Sequence, residues 1–209
     1  MTAPLLVVAI GNASRGDDAL GPALAAALRD AGWFDGGEVE LLEAYQLQIE
    51  DALALVGRRA VLFVDAARRG AAAAALAPLV PSPGAQRPGA FTHAMAPAAL
   101  LELCVRVLDV PPPPAWLLSI AGECFELGAP LSATARLRLA RAQALAGAWL
   151  ACRRNPSGAA RRWPRPRSGI PGAQPSPGAL PEGADEAGCA PARAAREPGA
   201  AAPGAPWPR

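Results

Sequence analysis

The sequence predicts an α/β fold: a mostly parallel central sheet of about five strands with helices on both faces. Two observations carry that reading and a third sets its limits. Short, wholly apolar runs such as Leu5–Ile10 and Val61–Val64 have the pattern of strands buried on both faces. They alternate with stretches whose apolar residues recur at helical spacing, which is the order of strand–helix–strand units. At Arg153 the composition changes: the last 57 residues hold 12 Pro, 8 Gly, 14 Ala and 9 Arg, with Ile170 and Leu180 alone among Leu, Ile, Val, Phe and Met. Such a segment buries too little apolar surface to offset its ordering entropy. Residues 1–152 are therefore expected to form the folded domain and 153–209 a Pro/Ala/Gly/Arg-rich disordered tail.

Leu5–Ile10, ending at Gly11, is the first strand. Asp17 and Asp18 then open a helix with Leu20, Leu24, Ala27, Leu28 and Ala31 on one face, Pro22 in its first turn and Gly32 past its end. Val39–Leu42 reads as a second strand, Ile49–Val56 as a short helix, and Val61–Val64 as a third strand ending on Asp65. Ala74–Val80 is a further, alanine-diluted strand, and Pro81–Phe91 is a loop by its Pro and Gly content. Pro97–Leu108 sets Leu100, Leu101, Cys104, Val105 and Leu108 on one helical face until Pro111–Pro114 stop it. Trp116–Ile120 is the last strand. Ser132 caps a closing helix whose Leu137, Ala140, Ala144, Leu145, Ala148 and Trp149 form its apolar stripe.

Charge divides where composition does. Residues 1–152 carry 11 Arg against 14 acidic residues, whereas the tail carries 9 Arg against 4. The folded unit is thus slightly acidic, and a nucleic-acid face on it is not expected. The chain has no Lys, which removes lysine Schiff-base chemistry and a Walker-type phosphate loop. Cys104, Cys124, Cys152 and Cys189 show no Cys-x-x-Cys spacing, so neither a zinc knuckle nor a redox pair is indicated, and Cys104 and Cys152 read as core residues. Scattered thiols fit a reducing compartment. The apolar opening Pro4–Ile10 is too short for a secretory core, and no run of about 18 apolar residues is present to span a bilayer. A soluble, cytoplasmic protein without membrane attachment is expected.

In parallel sheets the working residues gather at the carboxyl ends of strands, which singles out Gly11–Asp18 and Asp65. The chain has one histidine, His93, in a Gly/Pro-rich loop before a helix. Each has an ordinary reading: a lone loop histidine is commonly a surface residue, Asp65 a strand-end carboxylate, and one of Asp17 and Asp18 a helix cap. Together they differ, because two strand-end loops and a helix-start loop can bring Asp18, Asp65 and His93 to one cleft. Two carboxylates and an imidazole suit nickel, iron or zinc. Three ligands leave coordination positions open, so such a site would hold a free ion weakly yet grip a metal already bound by another protein's thiolates. Gly11, Gly16 and Gly21 do not have the dinucleotide-binding spacing, and Asp17 and Asp18 would repel a pyrophosphate. No nucleophile-elbow sequence accompanies His93, and Glu123 and Glu126 either rim the cleft or solvate a loop, the second reading being slightly favoured.

Four segments resemble the hydrogenase maturation endopeptidases. They are Gly11-Asn12-Ala13-Ser14-Arg15-Gly16-Asp17-Asp18-Ala19-Leu20-Gly21 after the first strand, Val64-Asp65-Ala66, Thr92-His93, and Gly122-Glu123 followed by Phe125-Glu126-Leu127-Gly128-Ala129-Pro130-Leu131-Ser132. The likeness runs over residues 4 to about 150. It implies that Asp18, Asp65 and His93 contact metal. It further implies an endopeptidase that removes a C-terminal extension from the large-subunit precursor of a nickel-iron hydrogenase after nickel insertion, recognising the substrate's nickel and holding no permanent cofactor. Where many members carry a Gly-Thr loop after the second strand, this chain has Glu43-Ala44-Tyr45-Gln46-Leu47-Gln48-Ile49-Glu50. That variant, with the Phe125–Ser132 segment, is similar to the branch serving soluble, NAD-reducing hydrogenases. The rival readings are a non-proteolytic, nickel-sensing maturation chaperone of the same precursor and a nucleotide-binding α/β module.

Overall fold

The structure, a computed structural model, describes residues 2–68, 72–82 and 95–154. Most of the predicted Pro81–Phe91 loop, His93 and the segment from residue 155 onward lie outside the described residues.

Five strands, β1 (Leu5–Ile10), β2 (Val39–Ala44), β3 (Ala60–Ala67), β4 (Ala74–Leu79) and β5 (Ala115–Ala121), make one sheet in the order β2-β1-β3-β5-β4. All pairings are parallel except that of β4 with β5. β4 is an edge strand, which is where a strand proline such as Pro78 is tolerated. Four helices accompany the sheet: α1 (Leu20–Asp30), α2 (Ala52–Leu55), α3 (Pro97–Arg106) and α4 (Ala133–Arg154). The alternation of side chains along β1 and β3 divides the core in two. Leu5, Val7, Leu62 and Val64 pack on one face with Leu24 and Leu28 of α1 and Trp149 and Leu150 of α4. Leu6, Val8, Val61 and Phe63 pack on the other with Leu55 of α2 and Leu100, Leu101 and Cys104 of α3. The α/β class and two-faced cover expected from sequence are both present. Among the described residues no helix is long and apolar enough to cross a membrane.

Several boundaries differ from the sequence reading, each for a physical reason. β3 continues past Val64, and Asp65 pairs with Ser119 inside the ladder instead of following the strand. The stripe expected on α4 holds at Trp149, which is buried, and at Leu145, which packs against the core, but not elsewhere: Ala135, Ala142, Ala146 and Leu150 are buried, while Ala140, Ala144 and Ala148 are exposed and Leu137 is 77% exposed. An alanine-rich helix offers nearly equal faces, and the phase is set by Trp149, whose ring meets Trp116 edge-on at 5.7 Å. Ser132 does cap this helix, its Oγ accepting the Ala135 N–H at 3.0 Å. α4 runs on to Arg154, and Arg153 lies over the Trp116 ring at 4.0 Å, so these two residues belong to the folded unit. Val105 is half-exposed, not part of the α3 core face, and Cys152 is only partly buried.

Candidate functional site

The strand order reverses direction between β1 and β3, because β2 lies on one side of β1 and every later strand on the other. At such a switch point the loops leaving the two strands part and open a crevice at their carboxyl ends. The turn from β1 into α1 is built around glycines that bring backbone against backbone. Gly11 has φ +140°, and a Cβ there would lie 2.0 Å from the Asp18 carbonyl oxygen; at Gly21 it would lie 2.1 Å from that of Ile10. The first turn of α1 is thereby pressed against the end of β1. A 3₁₀ turn over Gly16–Ala19 presents Asp17 and Asp18 on different sides.

Asp17 does not cap its own helix, contrary to the expectation for one of the pair. It is fully buried and reaches across to the segment between β5 and α4. One carboxylate oxygen, Oδ2, accepts the Glu123 N–H at 2.7 Å, the Cys124 N–H at 3.1 Å and the Ser132 hydroxyl at 2.9 Å; Oδ1 accepts the Ser132 N–H at 2.7 Å. Burial pushes its pKa up, but these donors outweigh burial and hold it below the ordinary carboxylate value. Around it the Asp17 N–H donates to the Cys124 carbonyl at 2.6 Å and the Gly16 N–H to that of Ala129 at 2.9 Å. Asp17 therefore fastens the 122–132 loop beside the β1 turn.

Asp18 faces the other way, into a cleft of about 330 Å³ at the carboxyl ends of β1 and β3 that Asp65 also lines. Its Oδ2 accepts the Asn12 N–H at 2.9 Å. Asp65 is partly accessible to solvent yet densely surrounded, and its pKa is raised to about 6, first by desolvation and further by the negative charge of Asp18, against the lowering effect of the Ala66 N–H. Two of the three predicted site residues thus share one cavity and feel each other's charge. The third, His93, lies outside the described residues; Met95, two positions on, lines the cleft, its N–H donating to the Leu47 carbonyl at 3.1 Å. Among the described residues no group of three His, Cys, Asp or Glu could hold a metal ion. A carboxylate pair that repels itself is relieved by a cation, so the chemistry open to this floor is to accept one from a ligand.

Sequence reasoning passed over the cleft's walls. Arg15 and Phe125 line one side with Arg68, and Tyr45 and Gln46 also contribute. The Arg15 Nε–H donates to the Phe125 carbonyl at 2.8 Å, and the Arg68 guanidinium lies 4.7 Å over the Phe125 ring. Asn12 donates from its side-chain amide to the Tyr45 hydroxyl at 3.1 Å. The strand-end rule offered a signal, since Arg15 lies within the turn that follows β1, and Arg68 directly follows β3. Glu123 pairs with Arg138 at 2.9 Å, in keeping with its reading as a loop residue.

No protein-family model matches the sequence, and no curated protein does. Solved structures do. The hydrogenase maturating endopeptidase HybD from E. coli is 21% identical, over 70% of this chain and 91% of its own, with a TM-score of 0.52. The NiFe hydrogenase maturation protease HycI from Thermococcus kodakarensis is 21% identical over 74% of this chain and 94% of its own, with a TM-score of 0.51. An endopeptidase from Escherichia coli, solved in solution, is 21% identical over 70% and 91%, with a TM-score of 0.53. At these identities the likeness is one of fold: the chain is built as the hydrogenase maturation endopeptidases are.

Proposed function

We propose that this chain is an endopeptidase that removes the C-terminal extension of the nickel-loaded large-subunit precursor of a nickel-iron hydrogenase. Asp18, Asp65 and His93 grip the nickel that the precursor carries. The reading rests chiefly on Asp18 and Asp65 lining one cleft at the β1/β3 switch point. It is supported by a fold shared with peptidases of that class. Two carboxylates and an imidazole supply part of a coordination shell and leave the rest to the precursor's own ligands. The nickel is substrate, so the enzyme needs no resident cofactor. Gripping it holds the scissile peptide beside the two carboxylates, and the advantage is one of position. A carbonyl or water close to the metal is polarised by it. The Glu43–Glu50 loop and the Phe125–Ser132 segment support a place in the branch that serves NAD-reducing hydrogenases, and the work takes place in the cytoplasm.

The test is to incubate the full chain with nickel-loaded and nickel-free precursor and to weigh the products. Loss of the extension from the nickel-loaded form alone is expected. Binding without a change of mass would overturn the peptidase reading in favour of a nickel-sensing chaperone. His93→Ala should melt as the parent does and leave the precursor uncut; normal cleavage by that variant would remove His93 from the site.

A further inference from the structure

We propose that the wall formed by Arg15, Phe125 and Arg68 is a carboxylate-binding subsite, which takes an acidic group of the substrate segment while Asp18 and Asp65 face its metal. The assignment of that occupant rests on the peptidase reading above; the subsite itself rests on geometry. One residue organises both cations. The Phe125 carbonyl takes the Arg15 Nε–H at 2.8 Å, and its ring carries the Arg68 guanidinium at 4.7 Å. A guanidinium held over a ring by its charge makes no hydrogen bond to that ring's edge and keeps N–H donors for a ligand. Neither arginine forms an ion pair among the described residues, although two carboxylates line the same cleft.

The placement of this wall is built into the fold. Phe125 sits in the loop fastened by the buried Asp17, and a Cβ on Gly122 would meet the Phe125 ring at 2.7 Å, so the ring is seated directly on that glycine. Two guanidinium groups gathered on one residue repel each other, and a shared carboxylate removes that repulsion while matching their planar donors. The acidic floor repels the same carboxylate. The cleft is therefore bipolar: it admits an anion at the arginine wall and a cation at the floor, and orients a segment that presents both.

The test uses the full chain, labelled with ¹⁵N, and the side-chain Nε–H signals of Arg15 and Arg68. The probes are N-acetylglutamate amide, with a side-chain carboxylate, N-acetylglycine, with a terminal carboxylate, and the neutral N-acetylglutamine amide. Both signals should shift with at least one carboxylate probe and not with the neutral one; the tighter carboxylate identifies an acidic side chain or a chain end as the source. Arg68→Gln should weaken that binding about tenfold, and Arg68→Lys should restore part of it. Equal shifts with the neutral probe, or none with either carboxylate, would overturn the subsite. In precursor processing, Arg68→Gln should raise KM about tenfold with kcat preserved, and a fall in kcat at constant KM would overturn the assignment. If wild-type protein cuts no precursor, the peptidase reading fails while the probe titration still decides the subsite.

Discussion

Asp17 and Asp18 are adjacent in the chain, yet their carboxylates are served in opposite ways. Asp17 is fully buried and accepts three backbone N–H groups and a hydroxyl, whereas Asp18 lines an open cleft and accepts the Asn12 N–H. The contrast separates a charge committed to structure from one left open to a cleft. Where the backbone has already satisfied a carboxylate, it has nothing to offer a cation. Where one carboxylate raises the pKa of another across a shared cleft, as Asp18 does to Asp65, the fold bears a cost that binding can recover.

The largest effect on stability belongs to the satisfied partner. Asp17→Ala leaves three backbone N–H groups without their acceptor, at about 1 kcal/mol or more for each, and should destabilise by about 3 kcal/mol or more in denaturant unfolding. Asp17→Asn keeps one carbonyl oxygen and should lose about half as much. Because the Asp17 pKa is depressed on folding, its contribution is present above the ordinary carboxylate pKa and is lost as pH falls through the folded value. A neutral loss below 1 kcal/mol in Asp17→Ala would break the comparison at its root.

Asp65 should move stability the other way. Its folded pKa of about 6 lies above the unfolded value of 3.8, so between these pH values the native state holds a proton that the unfolded state has released. Stability therefore falls as pH rises from about 4 to 6 and stays lower above that. Asp65→Asn removes the penalty and should stabilise the protein by about 1–2 kcal/mol at pH 7, a figure reduced for the residue's partial access to solvent, with no gain below pH 4. The same variant should leave the precursor uncut. Thermal melts of parent and variant across pH 3–8 check the sign, and a gain that is constant with pH would show that desolvation of the charge is not its source.

Ser132 links the clamp to the closing helix, since its hydroxyl donates to Asp17 and accepts the Ala135 N–H. Ser132→Ala should cost about 1 kcal/mol, visible as a lower melting temperature. That cap was legible in the sequence, as were the five strands, because apolar runs and their spacing are local signals. The clamp was not. A carboxylate at a helix start looks like a cap from sequence, and only the docking of the 122–132 loop supplies Asp17 with better donors than its own helix. The phase of α4 was legible at Trp149 but not along the rest of the helix, because alanine does not distinguish one face from another and the contact of Trp116 with Trp149 joins distant parts of the chain. Of the site, Asp18 and Asp65 could be read from the strand-end rule, which also marks Arg15 and Arg68 by position; that these two arginines form one wall could not, since they are brought together through the distant Phe125.

The smallest effect on stability should come from Asp18, and it sharpens the comparison most. Asp18→Asn retains a side-chain oxygen for the Asn12 N–H, and relieves the repulsion with Asp65, so unfolding free energy should change by less than about 0.5 kcal/mol. In that variant the Asp65 pKa should fall back from about 6 toward the ordinary carboxylate value, because one of its two raising causes is gone while burial remains. The ¹³C chemical shift of the Asp65 carboxyl, followed through a pH titration, reads this directly. An unchanged midpoint would mean that the two side chains do not feel each other across the cleft, and a cation could not then be shared between them.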